Sequence, residues 1–585
     1  MKTLLIALNA RFSHSNLAVY YLKAYCGTSC GDIEILEFTI NDDTEWILRT
    51  ICEKKPDNIA FSCYIWNIQM VSRLISNIKK IMPGVCIIAG GPEVSFDTEK
   101  VFRENPGIDY IITGEGEIPF RNLLQSLKSN DREAAEEIEG VAVKGKSAGQ
   151  VYCRVRENLD SIPSPFTGDY LATSKNRIVY METTRGCPFA CTYCLSSRQG
   201  GVSNFSLERV RSDLEKLLET RVKQVKFVDR TFNADNKRAR RLLQLLYDTA
   251  KQFNMENEIN FHFEAAPDLF DDETLALLET FPEGLIQLEM GIQSVNPETI
   301  KEINRRMDID KAFGNIKRII AMKNIHVHVD LIAGLPNEDY DSFKRSFNLV
   351  YALKPHYLQL GFLKLLKGTK IREDTVKHGY IFRDYPPYEV LSNRYMSYEC
   401  MFELKYIEEV LERYYNSGRF TASLDYIMKF YDTPFDFYQE FAEYNRKRGY
   451  LSRPISSREC YDIMAAFYQE HFSGFNVFSE LLKLDFLATD RSGYIPSSII
   501  QYSEEGFKEM CFRFLNNEEN IERHLPQFKG HSYKEIIKWT RFEVFRYLPA
   551  DEQGLTEKPA ACIILFDYSS RNKVTSRYKY HIVNL

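Results

Sequence analysis

Three cysteines stand close together in the chain, at Cys187, Cys191 and Cys194. Cysteine accounts for 13 of the 585 residues, so a specified triple spacing arises by chance roughly 0.006 times in a chain of this length. Thiolates bind iron–sulfur clusters and zinc, and structural sites of either kind usually take four protein ligands. This stretch offers three thiols with no fourth Cys or His close by in sequence. It predicts a catalytic metal site with one open coordination position, with zinc and uncoordinated thiols as the weaker alternatives.

The cysteines follow the first strand of a predicted series of βα units. Six successive units of this kind favour a partial or closed parallel barrel. Catalytic groups of such barrels lie where the strands end, which is where the cysteine loop falls. The predicted strands run from Ile178 to Glu182, Gln224 to Val228, Asn260 to Glu264, Leu285 to Met290, His326 to Ile332 and Tyr357 to Leu363.

The first 130 residues show a similar alternation of short apolar runs and helix-period segments. This pattern predicts an open, doubly wound parallel sheet, whose ligands bind beyond the carboxyl ends of the strands. Four strands run into loops that together favour a binding crevice, although the glycines of any single loop can be explained as turn formers. The predicted strands run from Thr3 to Leu8, Ile33 to Phe38, Asn58 to Ser62, Val85 to Ala89 and Tyr110 to Ile112. The loops run from Asn9 to Ser15, Ser62 to Asn67, Gly90 to Glu93 and Thr113 to Glu117.

Four regions are therefore expected. Residues 1–130 form the first α/β domain, residues 131–174 a linker with a hairpin, residues 175–385 the barrel, and residues 386–585 a mostly helical region with a few terminal strands. The hairpin arms are Val141 to Val143 and Val151 to Arg154. The last region is expected to hold the substrate or to act as a lid, but its many Tyr and Phe residues are explained at least as well by core packing.

The composition is that of an ordinary globular protein, with 44% hydrophobic and 27% charged residues. No run approaches the ~20 apolar residues that span a bilayer, and the N-terminal apolar run is too short for a secretion signal. We therefore expect a cytoplasmic protein with no membrane partner. The net charge of -6 makes nucleic acid an unexpected partner, because nucleic-acid binders usually carry a basic surface.

The cysteine loop resembles the signature of the radical S-adenosylmethionine (SAM) superfamily, in which an aromatic residue, here Tyr193, precedes the last cysteine. The resemblance covers residues 175 to 380 or so. It implies a 4Fe-4S cluster on the three cysteines, with SAM chelating the fourth iron. It also implies anaerobic, one-electron reduction by a flavodoxin- or ferredoxin-like donor, which yields methionine and a 5'-deoxyadenosyl radical that abstracts hydrogen from a substrate.

Four residues after later barrel strands are similar to SAM contacts of the branch that contains the oxygen-independent coproporphyrinogen oxidases. By that similarity Glu264 and Gln293 hold the ribose hydroxyls, Arg305 pairs with the carboxylate, and Asp330 contacts the bound cofactor. Glu264 and Asp330 have an ordinary alternative as strand-end carboxylates, and Arg305 has one as a surface charge on a helix. The Gly-Gly-Glu element that many members place after the second strand is absent, since the sequence there is Asp-Arg-Thr-Phe, residues 229–232.

The first domain resembles the cobalamin-binding domains found ahead of radical SAM domains. The resemblance places cobalamin in the crevice formed by Asn9, Arg11, Ser62, Tyr64, Gly90, Gly91, Gly114 and Glu115. The Asp-x-His-x-x-Gly motif that supplies a lower cobalt ligand is missing, and Arg11 stands at the position of its histidine. Arginine stays protonated and cannot ligate a metal, so a cobalamin without a histidine ligand is expected. A domain that binds nothing is the alternative.

The combined architecture resembles cobalamin-binding radical SAM enzymes, which commonly methylate unactivated carbon. Methylation of a small molecule or peptide is therefore the leading expectation, with rearrangement or ring formation also open. One alternative is an RNA methylthiotransferase, which would need three further cysteines for a second cluster in the first domain. Another is a non-catalytic cobalamin or cluster carrier.

Overall fold

The structure is a computed structural model that describes every residue except 132, 147–157, 176, 199, 548, 551–553, 556–561, 584 and 585. The chain forms two compact units. The first unit consists of Met1–Asn324, Gly334–Asp339 and Phe362–Ser397. The second consists of Ile325–Ala333, Tyr340–Gly361 and Tyr398–Leu585. Strands and helices are numbered in chain order through both units.

The first unit begins with a six-stranded sheet. Its strands are β1 Lys2–Asn9, β2 Asp32–Thr39, β3 Asn58–Ser62, β4 Cys86–Gly90, β5 Tyr110–Ile112 and β6 Val141–Val143, in the order β2-β1-β3-β4-β5-β6. The first five run parallel, and β6 is antiparallel to β5. The strands are apolar on both faces, as in sheets covered by helices on both sides, and Leu4, Ile6, Ile59 and Ile87 are fully buried. The predicted doubly wound sheet is confirmed.

Five helices cover this first sheet. They are α1 Leu17–Cys26, α2 Thr44–Glu53, α3 Ile68–Ile81, α4 Thr98–Glu104 and α5 Glu117–Lys128. Helix α1 contacts α5, and α2 contacts α3. The first arm of the predicted linker hairpin, Val141–Val143, is β6, and it extends the first sheet because it pairs with β5. The second arm, residues 151–154, lies outside the described residues.

The first unit continues with a second parallel sheet and two short antiparallel pairs. Strands β7 Val179–Met181, β10 Gln224–Phe227, β11 Asn260–Ala265 and β12 Ile286–Gln293 pair in that order to form the sheet. One antiparallel pair is the hairpin of β8 Thr184–Cys187 and β9 Gly201–Asn204, and the other consists of β15 Ile381–Phe382 and β16 Val390–Ser392. The helices are α6 Gly168–Ser174, α7 Leu207–Glu219, α8 Asn236–Gln252, α9 Asp272–Glu279, α10 Pro297–Glu302, α11 Ile309–Ala321, α13 Lys370–Glu373 and α14 Thr375–His378.

Side chains of the second sheet alternate strictly along its strands. Phe227, Phe261 and Phe263 point to one face and are fully buried, with Phe227 and Phe263 stacked at 4.4 Å. Lys226 and His262 occupy the intervening positions and therefore point to the other face. The sheet is thus apolar on one side and polar on the other, which is the arrangement that a ligand-lined barrel interior requires.

The second unit is mainly helical, as predicted for the end of the chain. Its helices are α12 Tyr340–Tyr351, α15 Tyr398–Tyr414, α16 Thr421–Ile427, α17 Pro434–Lys447, α18 Ser457–His471, α19 Phe475–Leu487, α20 Phe507–Leu515, α21 Glu518–His524 and α22 Tyr533–Ile536. Its strands are β13 His326–Ala333, β14 Tyr357–Phe362, β17 Thr540–Phe545, β18 Pro549–Ala550, β19 Gly554–Leu555, β20 Cys562–Arg571 and β21 Tyr578–Val583. Phe362, the last residue of β14, belongs to the first unit. Strands therefore form at all six positions predicted for the barrel.

Aromatic side chains build much of the core of the second unit. Tyr414, Phe437, Phe441 and Tyr468 are fully buried, and Tyr414 packs edge-on against Phe441 at 4.8 Å. Near the end of the chain, β17, β20 and β21 form an antiparallel sheet. Among the described residues, none of the helices combines the length and the apolar character needed to cross a membrane.

Candidate functional site

The three cysteines of the predicted metal site lie in the β8–β9 hairpin, from the end of β8 into the connecting loop. Cys187 ends β8 and pairs with Gly201 of β9. Cys191 is 6% exposed, while Cys187 and Cys194 are half-buried, and all three are free thiols. The backbone N–H of Cys194 donates to the carbonyl of Cys191 at 3.2 Å, which makes this end of the loop compact. The structure therefore brings the three predicted ligands into one short loop.

Gly186, directly before Cys187, has a backbone conformation that only glycine adopts easily. Its φ is +93°, and an added Cβ would lie 2.2 Å from the carbonyl oxygen of Gly201. No side chain fits at that distance, because the oxygen belongs to the backbone of the paired strand. The close approach of β8 and β9 thus fixes where the cysteine loop begins.

The start of the hairpin is held by Asp229, the residue that replaces the first position of the missing Gly-Gly-Glu element. Its carboxylate accepts hydrogen bonds from Thr183 N at 2.7 Å, from Thr184 N at 3.0 Å and from the Thr183 hydroxyl. Asp229 is fully buried, and burial raises its pKa to about 6 despite these hydrogen bonds. Arg238, from the basic run at residues 237–241, donates to the carbonyl of Thr183 at 3.1 Å. Asp229, in the loop after β10, therefore holds the backbone of Thr183 and Thr184, which lie just before the cysteines.

Arg305 lies directly beside the cysteine loop. Its guanidinium donates to Tyr193 Oη at 3.3 Å, lies 4.0 Å from Cys191 Sγ, and donates to the carbonyl of Gly291. Burial raises the pKa of Cys191, and the positive charge of Arg305 works in the opposite direction. Three of the residues singled out in the sequence, Tyr193, Cys191 and Arg305, are thus in contact.

Two buried polar atoms beside this loop lack a hydrogen-bond partner within the described residues, namely Gln293 Oε1 and Arg305 Nε. Gln293 also has a φ of +71°, a conformation that costs a non-glycine residue free energy and is often found at ligand sites. A buried polar atom without a partner is costly, so both observations fit a polar ligand at this position. Three thiols and these atoms suit a cluster and a polar cosubstrate.

Glu264 and Asp330 lie in different units. Glu264, at the end of β11, has its carboxylate 3.8 Å from Arg230, whose side chain is 53% exposed. Asp330, on β13 of the second unit, has its carboxylate 3.0 Å from His328 Nε2. Each carboxylate belongs to a strand and has an ionic partner. This arrangement is compatible both with an ordinary strand carboxylate and with a SAM contact.

The polar face of the second sheet carries an ionic group that the sequence analysis did not single out. Lys226 Nζ lies 3.0 Å and His262 Nε2 lies 3.1 Å from the Glu289 carboxylate. Lys226 pairs with His262 in register, and Glu289 pairs with Glu264. The period-two alternation of polar and aromatic residues on β10 and β11 is the sequence signal that could have revealed this group.

The loop after β1 contains Asn9, Arg11 and His14. Asn9 is buried and donates to Glu37 at 2.7 Å, whereas Arg11 is exposed. His14 Nδ1 lies 2.5 Å from the Tyr180 hydroxyl on β7, and burial, followed by the charge of Arg11, lowers the pKa of His14. The loop after β1 is thus joined to β7 through this hydrogen bond.

The loop after β3 presents two stacked aromatic rings. Tyr64 and Trp66 lie 4.4 Å apart and 4° from parallel, and Trp66 is 42% exposed. Burial raises the pKa of Tyr64 to about 12, and Arg230 of the second sheet works in the opposite direction. Ser62 accepts a hydrogen bond from Asn16 at 3.2 Å. These rings form the exposed aromatic surface of the predicted crevice.

The loop after β4 contacts the second half of the first unit. Gly90 and Gly91 are held against β3, where Gly90 O accepts from Cys63 N at 2.7 Å and an added Cβ on Gly91 would lie 2.5 Å from Cys63 O. Glu93 is buried and accepts from the Tyr388 hydroxyl at 2.8 Å, with Lys367 Nζ 3.5 Å away. The glycines of this loop therefore allow its backbone to lie close to Cys63. The carboxylate of Glu93 binds Tyr388 and Lys367, which follow the barrel strands.

The loop after β5 also has a glycine at positive φ and carboxylates that bind a cation. Gly114 has a φ of +83°, and the carboxylates of Glu115 and Glu117 lie 3.2 Å and 2.6 Å from the guanidinium of Arg185. Glu182 also binds this guanidinium, at 2.7 Å. Burial disfavours the charge of Arg185, but its carboxylate partners outweigh burial and raise its pKa. The sequence analysis assigned Glu115 to the crevice and missed Arg185 as its partner.

Comparison with known families gives matches over most of the chain. Residues 3–124 match the B12 binding domain, and residues 181–350 match the radical SAM superfamily. The chain carries a B12-binding domain and a radical SAM domain. Residues 376–566 match a further family, which is described only as a protein of unknown function (DUF4080). The resemblance stated from the cysteine loop and the N-terminal loops is confirmed.

Individual relatives agree with these assignments. The chain is 26% identical over 305 residues to the cobalamin-dependent radical SAM methyltransferase TokK of Streptomyces tokunonensis, a match that covers 50% of this chain. It spans 44% of that relative's length. The solved structure of the cobalamin-dependent SAM radical enzyme OxsB has a TM-score of 0.60 at 15% identity, over 91% of this chain and 84% of that one. The radical SAM methyltransferase TsrM of Kitasatospora setae has a TM-score of 0.54 at 17% identity, over 66% of this chain and 78% of TsrM. These structures share the fold.

Proposed function

We propose that this protein is a cobalamin-dependent radical SAM enzyme that methylates a small-molecule or peptide substrate. The observation that carries the proposal is the contact of Arg305 with the three-cysteine loop, together with the unpartnered Arg305 Nε and Gln293 Oε1 beside it. These atoms mark a polar ligand site next to three thiols, and the same chain has a B12-binding domain. The TokK, TsrM and OxsB likenesses support the same subclass.

In this proposal Cys187, Cys191 and Cys194 hold a 4Fe-4S cluster, which when reduced supplies the electron that cleaves SAM. Tyr193 lies within the cluster loop and positions Arg305 through its hydroxyl. The fork of Arg305 suits the SAM carboxylate, since guanidinium and carboxylate match in geometry. Gln293 and Glu264 offer acceptors for the ribose hydroxyls, and Asp330 remains a predicted cofactor contact. Asp229 takes no direct part and instead holds the backbone of the loop.

Cobalamin is assigned to the crevice at the carboxyl ends of the first sheet. Arg11 stands where the missing motif would place its histidine and cannot ligate cobalt, so this loop fits a cobalamin without a histidine ligand. The stacked pair of Tyr64 and Trp66 offers a flat apolar surface for a corrin. The remaining predicted contacts are Asn9, Ser62, Gly90, Gly91, Gly114 and Glu115.

The proposed setting follows from this chemistry. A reduced cluster needs a low-potential electron donor of the flavodoxin or ferredoxin type and an anaerobic environment, and we propose a cytoplasmic location. Neither a membrane nor a nucleic acid is expected as partner. The substrate itself is expected to bind at the C-terminal region, residues 386–585.

The methyl-transfer proposal is tested by anaerobic reconstitution with iron, sulfide and hydroxocobalamin, followed by incubation with reductant and methyl-labelled SAM. We expect labelled methylcobalamin and S-adenosylhomocysteine, and neither product from Cys191→Ala. Formation of 5'-deoxyadenosine alone would overturn the methyltransferase assignment while keeping radical SAM chemistry. No turnover of SAM by fully loaded protein would favour a carrier. Iron content separates the methylthiotransferase alternative, because one cluster gives about four irons per chain and two clusters give about eight.

The SAM assignment of Arg305 is tested by Arg305→Lys, which keeps the charge and removes the fork. We expect SAM affinity to fall roughly 10- to 100-fold, since a bidentate arginine is not replaced by lysine, while the absorption of the cluster is retained. Arg306→Lys, at the exposed neighbouring position, is the matched control. Equal SAM affinity in both variants would refute the contact.

A further inference from the structure

Arg185 joins the cysteine loop to the first sheet through a buried ionic group. Its guanidinium contacts the carboxylates of Glu182, Glu115 and Glu117 at 2.7, 3.2 and 2.6 Å. The side chains of all four residues are between 6% and 14% exposed. Glu182 precedes the hairpin, whereas Glu115 and Glu117 belong to the loop after β5 and the start of α5. One side chain therefore contacts both the cysteine hairpin and the B12-binding domain.

The connection from Arg185 to the first cysteine is short and stiff. Gly186 alone separates Arg185 from Cys187, and all three residues are held by antiparallel pairing with β9. A change in the position of the guanidinium is therefore passed to Cys187 rather than absorbed by the loop. Arg305, on the other side of the loop, contacts Cys191 and Tyr193, so the two arginines hold opposite ends of the cysteine segment.

The charges of this group make it responsive to its surroundings. Three carboxylates contact one guanidinium in a region largely shielded from water, where electrostatic interactions are strong. Glu115 belongs to the loop that is expected to border the cobalamin crevice. A ligand that displaces this loop changes both the distance and the charge that Arg185 presents to the cysteine hairpin.

We propose that Arg185 is a positioning residue that couples the first-sheet crevice to the cluster loop, so that cobalamin binding alters the reduction potential of the cluster. This inference rests on the proposed function. It differs from a purely structural role, because a structural brace would affect stability and cluster loading without making the potential depend on cobalamin.

The test measures the cluster's midpoint potential by anaerobic redox titration, following the reduced-cluster electron paramagnetic resonance signal, with and without hydroxocobalamin. In the wild-type protein we expect hydroxocobalamin to shift the potential. Arg185→Met should bind iron but lose this shift, and Glu117→Gln, which removes one of the three charges, should reduce it. The matched control is Arg177→Met, because Arg177 also connects the two sheets of the first unit, through Glu37 at 3.4 Å, but lies away from the cysteine hairpin in sequence. It should respond like the wild type.

A wild-type potential that ignores hydroxocobalamin would overturn the inference, as would an undiminished shift in Arg185→Met. If Arg185→Met fails to load iron, Glu117→Gln decides, and a shift equal to the wild type in that variant counts against the coupling. A wild-type protein that forms no cluster fails before hydroxocobalamin is added. That result would refute the proposed function itself, and the inference with it.

Discussion

Asp229 provides a sharp test of how the cysteine hairpin is held, because its titration should be visible in protein stability. Burial raises the pKa of Asp229 from its usual 3.8 to about 6. The folded state therefore binds a proton at Asp229 more tightly than the unfolded state does. Protonation of Asp229 thus adds to the free energy of unfolding, and this contribution is complete below the unfolded pKa and is lost as the pH rises through the folded pKa. With these two values, about 1.4 kcal/mol of stability should be lost between about pH 5 and pH 8.

Asp229→Asn removes this titration and preserves the contacts. The amide oxygen can still accept from Thr183 N and Thr184 N, and the amide nitrogen can donate to the Thr183 hydroxyl, which accepts in turn. The assay is urea unfolding of the apo protein followed by circular dichroism at a series of pH values. We expect the stability of the wild type relative to Asp229→Asn to fall by about 1.4 kcal/mol over that range. Asp384→Asn, at an exposed carboxylate of the same unit, should show no such trend. Parallel profiles for the wild type and Asp229→Asn would refute the reasoning.

Two further predictions concern packing in the first unit. Gly186→Ala places a Cβ 2.2 Å from a carbonyl oxygen of the paired strand and should cost about 3 kcal/mol in unfolding free energy and lower the iron content after reconstitution. Gly200→Ala, also at positive φ but with no atom within 4 Å of its added Cβ, should cost only ~1 kcal/mol; equal losses would contradict the steric argument. Phe263→Ala removes the ring stacked on Phe227 and should cost roughly 3–5 kcal/mol in urea unfolding. Leu349→Ala, at a half-exposed position, should change stability by less than ~0.5 kcal/mol, and a similar loss in both would argue against a close-packed core.

Much of the fold could be predicted from local pattern. The strand predicted at Asn58 to Ser62 is β3, because a short apolar run that ends in a polar loop is typical of a strand buried on both faces of a parallel sheet. The cysteine loop could be found from spacing alone, and the resemblance then supplied Arg305 and Gln293. Both lie beside the loop in the structure because Gln293 ends β12 and Arg305 follows α10, the helix directly after that strand.

The partners of charged residues could not be predicted in the same way. Arg185 and Glu115 are 70 residues apart, and nothing in the local sequence of either indicates that they meet. Arg238 shows the same limit: it lies in the basic run at residues 237–241, and nothing in that run indicates that its guanidinium donates to the carbonyls of Thr183 and Phe205. Such pairings depend on tertiary packing, which periodicity does not encode.

These pairings also narrow the choice of groups that can recognise a ligand at the first sheet. The carboxylates of Glu93 and Glu115 belong to the crevice loops in sequence, yet both are buried against cations, Lys367 and Arg185. Breaking a buried ion pair by removing one partner typically costs about 3–5 kcal/mol, so neither carboxylate is free to bind a ligand without a comparable gain. A cobalamin contact made by the Glu115 carboxylate must therefore outweigh its ion pair with Arg185, whereas the loop after β3, where Trp66 is exposed, can contact a ligand without breaking either ion pair. The loop after β5 joins the crevice to the cysteine hairpin through Arg185, and the loop after β4 joins it to Tyr388 and Lys367.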